Sequence, residues 1–168
     1  RGNVDTRIKK LRNHEYDAVI LSLAGLARLN LDHLVTEVLE HNLFLPAACQ
    51  GAVGVQALKN SEAKKILAPI NDLKTQTECM AERRVLKNIN ANCNSPVSIY
   101  ANINKNNITL EFEIFDHQGN KIFKKSKEDF KENYLKLCDE LGKEIVNALG
   151  QTKINELDNL KSDFNYTP

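Results

Sequence analysis

The chain has 168 residues, of which 42% are hydrophobic, and its 23 basic side chains nearly balance its 22 acidic ones. This apolar content is enough for a packed core and too high for a disordered chain. The near-neutral charge gives no argument for nucleic acid, and no apolar run approaches the roughly 20 residues of a membrane-spanning helix. We therefore expect a globular protein with neither nucleic acid nor a membrane as its partner.

The four cysteines show no pattern that is typical of metal binding or disulfide formation. None forms a C-x-x-C pair and their spacing is irregular, so a structural zinc is not expected. Free thiols predict a cytoplasmic protein. No secretory leader opens the chain, so secretion is not expected. The chain begins with Arg1 rather than Met and enters a helical pattern almost at once, which predicts a piece of a longer protein.

Residues 1–45 have the pattern of an incomplete α/β domain. Asn3 can cap a short helix over residues 4–11, whose apolar positions recur at helical spacing. The apolar run at 17–21 predicts a strand buried on both faces of a parallel sheet, and residues 24–29 begin another helix. Because no partner strands follow, we predict part of a lobe rather than a complete sheet.

Residues 46–69 are predicted to connect two domains, with Pro46 at the boundary. Residues 34–39, just before it, fit either a strand or a helix. The small apolar residues at 50–55 predict a glycine-softened strand or a crossing segment, and residues 61–67 predict a short helix.

Residues 70–168 predict a small α+β domain. A helix over 72–89 leads into an asparagine-rich turn. Period-2 alternation then predicts three strands, at 97–103, 108–114 and around 122–123.

A second helix would cover one face of that sheet. Its apolar stripe runs from Phe130 to Leu149, and Gly150 is a natural stop. Ser126 with Asp129 resembles a capping box at its start. The segment after Gly150 is polar but could dock as a short helix. The expected domain is thus a three-stranded antiparallel sheet packed on helices.

Three arginines lie at positions where anions can bind. Arg1 and Arg7 flank the start of the first predicted helix, where free N–H groups and the helix dipole favour anions, and a guanidinium adds bidentate recognition of carboxylates. Two solvated surface arginines are the other reading. Arg28 follows the predicted strand among small apolar residues, where α/β sheets place ligands, and a functional or a structural role is equally open.

Cys93 lies in the asparagine-rich loop between a helix and a strand, where a thiol is reachable for covalent chemistry. No histidine motif accompanies it, so a cysteine hydrolase is not indicated, and an ordinary loop residue is the alternative. The pattern from Gln50 to Gly54 lets the backbone approach a neighbour closely. It matches no phosphate-binding fingerprint and favours a simple turn or strand.

Several segments, taken in chain order, resemble porphobilinogen deaminases. The motifs of that family are RGNVxTR, DAIILAxAGLxRL, LPAxxQGAxG and AER…GGCxxP(I/V). The matching segments of this chain are RGNVDTR at 1–7, YDAVIL at 16–21, AGLARL at 24–29, LPAACQGAVG at 45–54, AER at 81–83 and CNSPV at 93–97.

The resemblance implies three domains around a cleft, the first two similar to periplasmic binding proteins. Residues 1–45 would be the second half of domain two. Residues 46–69 would return to domain one and link onward, and residues 70–168 would be the cofactor-carrying domain.

The resemblance also implies the chemistry. Cys93 would carry a dipyrromethane cofactor through a thioether, with Arg1 and Arg7 binding cofactor carboxylates and Arg28 and Gln50 binding substrate. The parent protein would be a transferase of porphyrin, tetrapyrrole and heme biosynthesis. It would condense four porphobilinogen units head to tail into hydroxymethylbilane, with loss of ammonia.

This sequence departs from the family at two points. Ala91 and Asn92 stand where two glycines usually precede the cofactor cysteine. No acid matches the family's catalytic aspartate, which lies in an N-terminal domain outside this sequence, so we expect the chain alone to be inactive and to lack the cofactor. The apolar surface around residues 19–21 would bind that missing domain or a second copy of the chain.

Two other functions stay open from the residues themselves. A non-enzymatic module for small carboxylates would bind reversibly and form no covalent adduct. A structural domain would tolerate replacement of Cys93 and of the three arginines.

Overall fold

The computed structural model describes residues 2–92 and 95–158 of the chain. The chain divides into two compact units, with the boundary between Leu43 and Phe44.

The first unit contains two short helices, each with a side-chain cap at its start, of which the cap at Asn3 was predicted. Helix α1 spans Val4–Arg12, and the side chain of Asn3 accepts a hydrogen bond from the Thr6 N–H at 3.3 Å. Helix α2 spans Leu23–Arg28, and Ser22 caps it in the same way through Gly25. A single 3₁₀ turn follows at Asp32–Leu34. Both helices predicted for this part of the chain are confirmed.

The buried strand predicted at residues 17–21 is wrong. These residues form neither helix nor strand, and Ile20 is 59% exposed. A strand exists only when a neighbour receives its backbone hydrogen bonds, and the described part of this unit provides no such neighbour. Residues 34–39, predicted as strand or helix, form neither a strand nor an α-helix, and Leu34 ends the 3₁₀ turn. The periplasmic-binding-protein-like lobe is therefore not visible as a sheet in this unit.

The second unit holds the remaining helices and the sheet. Helix α3 spans Glu62–Leu67 and is followed by a 3₁₀ turn at Ala68–Ile70. Helix α4 spans Leu73–Asn88, and Asp72 caps it by accepting from the Thr75 N–H at 2.6 Å. After the sheet, a 3₁₀ turn at Lys131–Asn133 leads into helix α5, Tyr134–Leu149, and then helix α6, Gln151–Asp158.

The sheet is an antiparallel meander in the order β1-β2-β3. Strand β1 spans Val97–Asn104, β2 spans Asn107–Phe115 and β3 spans Lys121–Phe130. The register pairs Ile99 with Phe112. Because side chains alternate between the faces of a strand, this register collects the apolar residues on one face.

Helices α4 and α5 cover that face and form the core. Its centre consists of residues that solvent does not reach at all: Val85, Ile89, Ile99, Ile108, Leu110, Phe112, Leu141 and Ile145. Helix α6 adds Ile154 and Leu157 to the same cluster. The predicted small α+β domain, a three-stranded antiparallel sheet packed on helices, is confirmed.

Three details of the second unit differ from the predictions. Residues 50–55 carry no strand, and Val53 is 79% exposed. Ser126 and Asp129 do not cap a helix, because both lie in β3, which extends to Phe130. That strand is long because pairing with β2 continues from Lys121 to Phe130, even where lysines interrupt the apolar alternation.

Among the described residues, no helix is both long enough and apolar enough to span a lipid bilayer.

Candidate functional site

The loop between α4 and β1 carries the predicted cofactor cysteine. Cys93 lies outside the described residues, as does Arg1. The described ends of the loop bond to each other: the Asn92 N–H donates to Ser95 Oγ at 2.7 Å, and the Ser95 N–H donates to the Asn92 carbonyl at 3.1 Å. Asn90 takes the left-handed turn, with φ of 57°. The chain therefore reverses here without glycine at residues 91 and 92.

Arg7 and Arg28 both belong to the first unit. Arg7 is half-buried in the first two turns of α1, and Arg28 is the exposed last residue of α2. Neither forms an ion pair with any residue that the structure describes. Their guanidinium groups are thus available to bind carboxylates.

Gln50 lies in a tight turn of the second unit. Its N–H donates to the Ala47 carbonyl at 3.1 Å, and its side chain is exposed. Cys49 and Gly51 on either side have positive φ, at 58° and 86°. A turn stands in place of the predicted strand, because Cys49 and Gly51 both take left-handed conformations, which a strand does not accommodate.

Glu82 joins this turn to the sheet. Its Oε2 accepts from the Cys49 N–H at 2.5 Å, and its Oε1 accepts from the Ala101 N–H at 2.8 Å. The residue is only 6% exposed. One carboxylate on α4 thus bonds to the turn and to β1 simultaneously.

Other N–H groups on the outer edge of β1 also donate to acceptors from outside the sheet. The Ile99 N–H donates to the Pro46 carbonyl at 3.0 Å, and the Ile103 N–H donates to Glu78 Oε1 at 2.7 Å. Together with Glu82, these acceptors occupy the place of a fourth strand. They satisfy backbone groups that an edge strand would otherwise leave unpaired.

Sequence reasoning placed Glu82 in a family motif but assigned it no role. The sequence nevertheless indicates that Glu82 is close to the core. It directly follows Ala81, and Ala81 and Val85 lie on the apolar face of the predicted helix. A carboxylate beside buried positions needs partners, and backbone N–H groups are the available donors.

Burial and bonding act in opposite directions on Glu82. Burial raises the pKa of its carboxyl, and the hydrogen bonds from the Ala101 and Cys49 N–H groups only partly oppose that rise. Burial, followed by the neighbouring Cys79, also raises the pKa of the Cys49 thiol to about 12. Burial does the same for Cys138, again to about 12. These two thiols are therefore protonated near neutral pH and poorly suited to nucleophilic chemistry.

Two family models match consecutive parts of the chain. Residues 1–66 match the model described as "Porphobilinogen deaminase, dipyromethane cofactor binding domain", which includes Arg7, Arg28 and Gln50. Residues 76–151 match "Porphobilinogen deaminase, C-terminal domain", which is the α+β part with the cysteine loop. The chain is thus of the class that joins a cofactor-binding domain to a small α+β domain.

Relatives from three clostridia agree with these models. The chain is 36% identical over 150 residues to the porphobilinogen deaminase of Clostridium kluyveri, covering 88% of this chain and 50% of the relative. It is 36% identical over 146 residues to that of Clostridium botulinum strain Hall, covering 87% and 50%. For Clostridium beijerinckii the identity is 35% over 149 residues, covering 89% and 49%.

The chain belongs to the porphobilinogen deaminase family. It spans about half the length of the curated relatives it matches.

Proposed function

We propose that these 168 residues form part of a porphobilinogen deaminase, a transferase of tetrapyrrole and heme biosynthesis. The whole protein condenses four porphobilinogen units head to tail into hydroxymethylbilane, with loss of ammonia. The observation that carries this proposal is the match of both family models, in order, over residues 1–66 and 76–151.

The domain organisation follows the family's. Residues 1–45 are the second half of a periplasmic-binding-protein-like domain two, and residues 46–69 return to domain one and link onward. Residues 70–168 are the cofactor-carrying domain. Free thiols suit the reducing cytoplasm, where we place the enzyme.

Cys93 is the residue that attaches the dipyrromethane cofactor. Its loop joins α4 to β1, and the described thiols at Cys49 and Cys138 are disfavoured by burial and raised pKa. A soft thiol attacks the electrophilic methylene carbon that forms when ammonia leaves, and the product is a thioether. When bound, the dipyrromethane supplies the pyrrole carbon on which the chain grows.

Four further residues bind carboxylates and pyrrole units. Arg1 and Arg7 hold carboxylates of the cofactor, while Arg28 and Gln50 contact the substrate. An arginine stays charged at all physiological pH values and presents a fork that matches a carboxylate. The unpaired guanidinium groups of Arg7 and Arg28, within the described part of the chain, fit this role.

The rest of the enzyme covers the first unit. Leu26 is the one buried apolar side chain among the described residues before Leu43, whereas Ile20, Leu29 and Val38 are largely exposed. Such surface is normally covered in a folded protein. We propose that an N-terminal half, present in the relatives, covers it, and that the chain alone self-associates instead.

This chain alone is inactive and carries no cofactor in our proposal. The family's catalytic aspartate has no counterpart among its 22 acidic residues. Cofactor assembly and elongation then depend on the N-terminal half.

Intact mass tests the proposal directly. The whole protein is incubated with porphobilinogen, and both hydroxymethylbilane and a covalent mass gain are measured. We expect product and a thioether-linked gain that Cys93→Ser abolishes, while the matched control Cys79→Ser retains both.

Two results would contradict the proposal. A whole, folded protein that binds porphobilinogen reversibly and gains no mass would favour a carboxylate-binding module. Product formation by the 168-residue chain alone would refute the dependence on an N-terminal half.

A further inference from the structure

Few hydrogen bonds hold the turn that carries Gln50 against α4 and β1, although Ala48 also packs against the core. The described polar contacts are the 2.5 Å bond from the Cys49 N–H to Glu82, the 3.0 Å bond from the Ile99 N–H to the Pro46 carbonyl, and a 3.7 Å contact from Cys49 Sγ to the Cys79 carbonyl. Only the first has a charged acceptor, and charged acceptors form the stronger hydrogen bonds. Among the polar contacts described for the turn, the bond to Glu82 is therefore the strongest tether.

We propose that Glu82 is a positioning residue for substrate binding, which holds Gln50 in place through the backbone of the turn. This inference rests on the proposed function, because the substrate role of Gln50 is part of it. Glu82 itself touches neither substrate nor cofactor. It acts by fixing the Cys49 N–H, one residue before Gln50.

A carboxylate suits this task for a geometric reason. The two N–H groups come from segments 33 and 19 residues away from Glu82 along the chain, and each needs its own acceptor. An ionised carboxylate has two acceptor oxygens and no donor, so it serves both. A glutamine of the same shape has one acceptor oxygen, and its NH₂ group would face a second donor.

Glu78 offers a matched comparison. It lies one helical turn earlier on α4 and also accepts from the edge of β1, at Ile103. It has no described hydrogen bond to the turn at residues 47–51. A purely structural role in completing the strand edge predicts equal effects of Glu78→Gln and Glu82→Gln, whereas our proposal predicts different ones.

Amide hydrogen exchange, followed by NMR, measures the tether itself. In the unmodified 168-residue chain the Cys49 amide should exchange far more slowly than the exposed Val53 amide. Glu82→Gln should speed Cys49 exchange by about tenfold or more, the effect of losing one hydrogen bond to a charged group. Glu78→Gln should leave Cys49 unchanged, and the Phe112 amide reports whether each variant is folded.

A Cys49 amide that exchanges as fast as Val53 in the unmodified chain would overturn the tether without any variant. Equal acceleration of Cys49 in both variants would also overturn it, because the effect would then come from the strand edge.

Kinetics of the whole protein test the consequence for substrate. Glu82→Gln should raise KM for porphobilinogen by about tenfold with a smaller change in kcat, since a misplaced binding group weakens binding first. Gln50→Ala should do the same, and the double variant should be no worse than either. Glu82→Asp, which keeps the charge, should recover part of the loss.

The outcomes separate the two proposals. If exchange confirms the tether but the effects of Glu82→Gln and Gln50→Ala on KM add fully, the positioning role is wrong and the proposed function stands. If the unmodified whole protein makes no hydroxymethylbilane, the proposed function fails, and the exchange data still report on the tether.

Discussion

At the scale of single residues, burial lowers the reactivity of two of the cysteines, Cys49 and Cys138. Cys138 is not reached by solvent and donates to the Ala81 carbonyl, and Cys49, within the turn, donates from its Sγ to the Cys79 carbonyl. Both thiols pack as small apolar side chains. Residue type alone therefore does not separate reactive from unreactive thiols, and the raised pKa values of Cys49 and Cys138 mark these two as unreactive.

Alkylation rates should reflect this difference. With iodoacetamide near pH 8, Cys49 and Cys138 should react at least about 100-fold more slowly in the folded chain than in urea, because burial raises both pKa values to about 12 and a thiolate is the reacting species. Cys93 should be labelled first. Peptide mass spectrometry at timed intervals measures all sites together, and folded Cys138 reacting at its unfolded rate would contradict the assignment.

Glu113 is the second buried carboxylate among the described residues, and its pairing differs from that of Glu82. Its Oε1 accepts from Lys121 Nζ at 2.6 Å and lies 3.1 Å from Lys124 Nζ. Burial alone would raise the pKa of Glu113, but the hydrogen bonds from the two lysines outweigh burial and lower it. The folded state therefore favours the ionised form.

This lowered pKa makes the contribution of Glu113 depend on pH. The stabilisation is present above the unfolded-state pKa of about 4.5 and is lost as the pH falls through the lower folded value. Glu113→Gln should reduce the free energy of unfolding by about 1 kcal/mol at neutral pH, and the difference should shrink in acid. Urea unfolding at several pH values checks this. Glu111→Gln, on the same strand without a described ion pair, is the control and should change little.

At the scale of elements, α4 and α5 cross with very little space between them. A methyl group added at Gly142 would lie 2.6 Å from the Cβ of Asn88. Asn88 cannot move away freely, because its amide donates to the Cys138 carbonyl and to Asp139. Arg84 and Asp139 bridge the same two helices, with a 2.6 Å contact. Gly142 is therefore a requirement of the helix crossing.

Gly142→Ala should destabilise the second unit by about 1–3 kcal/mol, the usual result of overpacking, although alanine is the better helix former. Thermal and urea unfolding measure the loss. The matched control is Gly54→Ala, whose added methyl group meets nothing within 4 Å and whose φ is not positive. Equal stability of the Gly142→Ala variant and the unmodified chain would show that the helices separate without cost.

At the scale of the whole chain, the two units differ in how much they bury. The second contains the core cluster between the sheet and its helices, while the first has Leu26 as its buried apolar residue in the described part. Segments with few buried contacts open at low free energy.

Hydrogen exchange should reveal this difference. In the 168-residue chain, amides at residues 17–43 should exchange within the shortest labelling times, whereas those of β2 and α5 should persist. In the whole protein the same residues 17–43 should become protected, since the proposed N-terminal half covers them. Mass spectrometry of peptides measures both samples, and equally fast exchange in the whole protein would contradict the proposed cover.

The sequence alone determined the features that depend on neighbours within a few residues. The helix starts at Asn3 and Asp72 were predicted, because a cap contacts an N–H three residues later, whereas the cap of α2 at Ser22 was found only in the structure. Alternation located the sheet, and ordered motifs identified the family. The site residues Arg1, Arg7, Arg28, Gln50 and Cys93 stay predictions that the described geometry leaves to experiment.

Only the tertiary structure decided what depends on distant partners. The run at 17–21 has the composition of a strand but lacks a neighbouring strand in the described part of its unit, so the strand predicted from composition is wrong. Strand β3 extends beyond its apolar residues because β2 pairs with it along its length. Glu82 bonds to residues 33 and 19 positions away, a relation that no local spacing encodes, because hydrogen bonds are satisfied in space and not along the sequence.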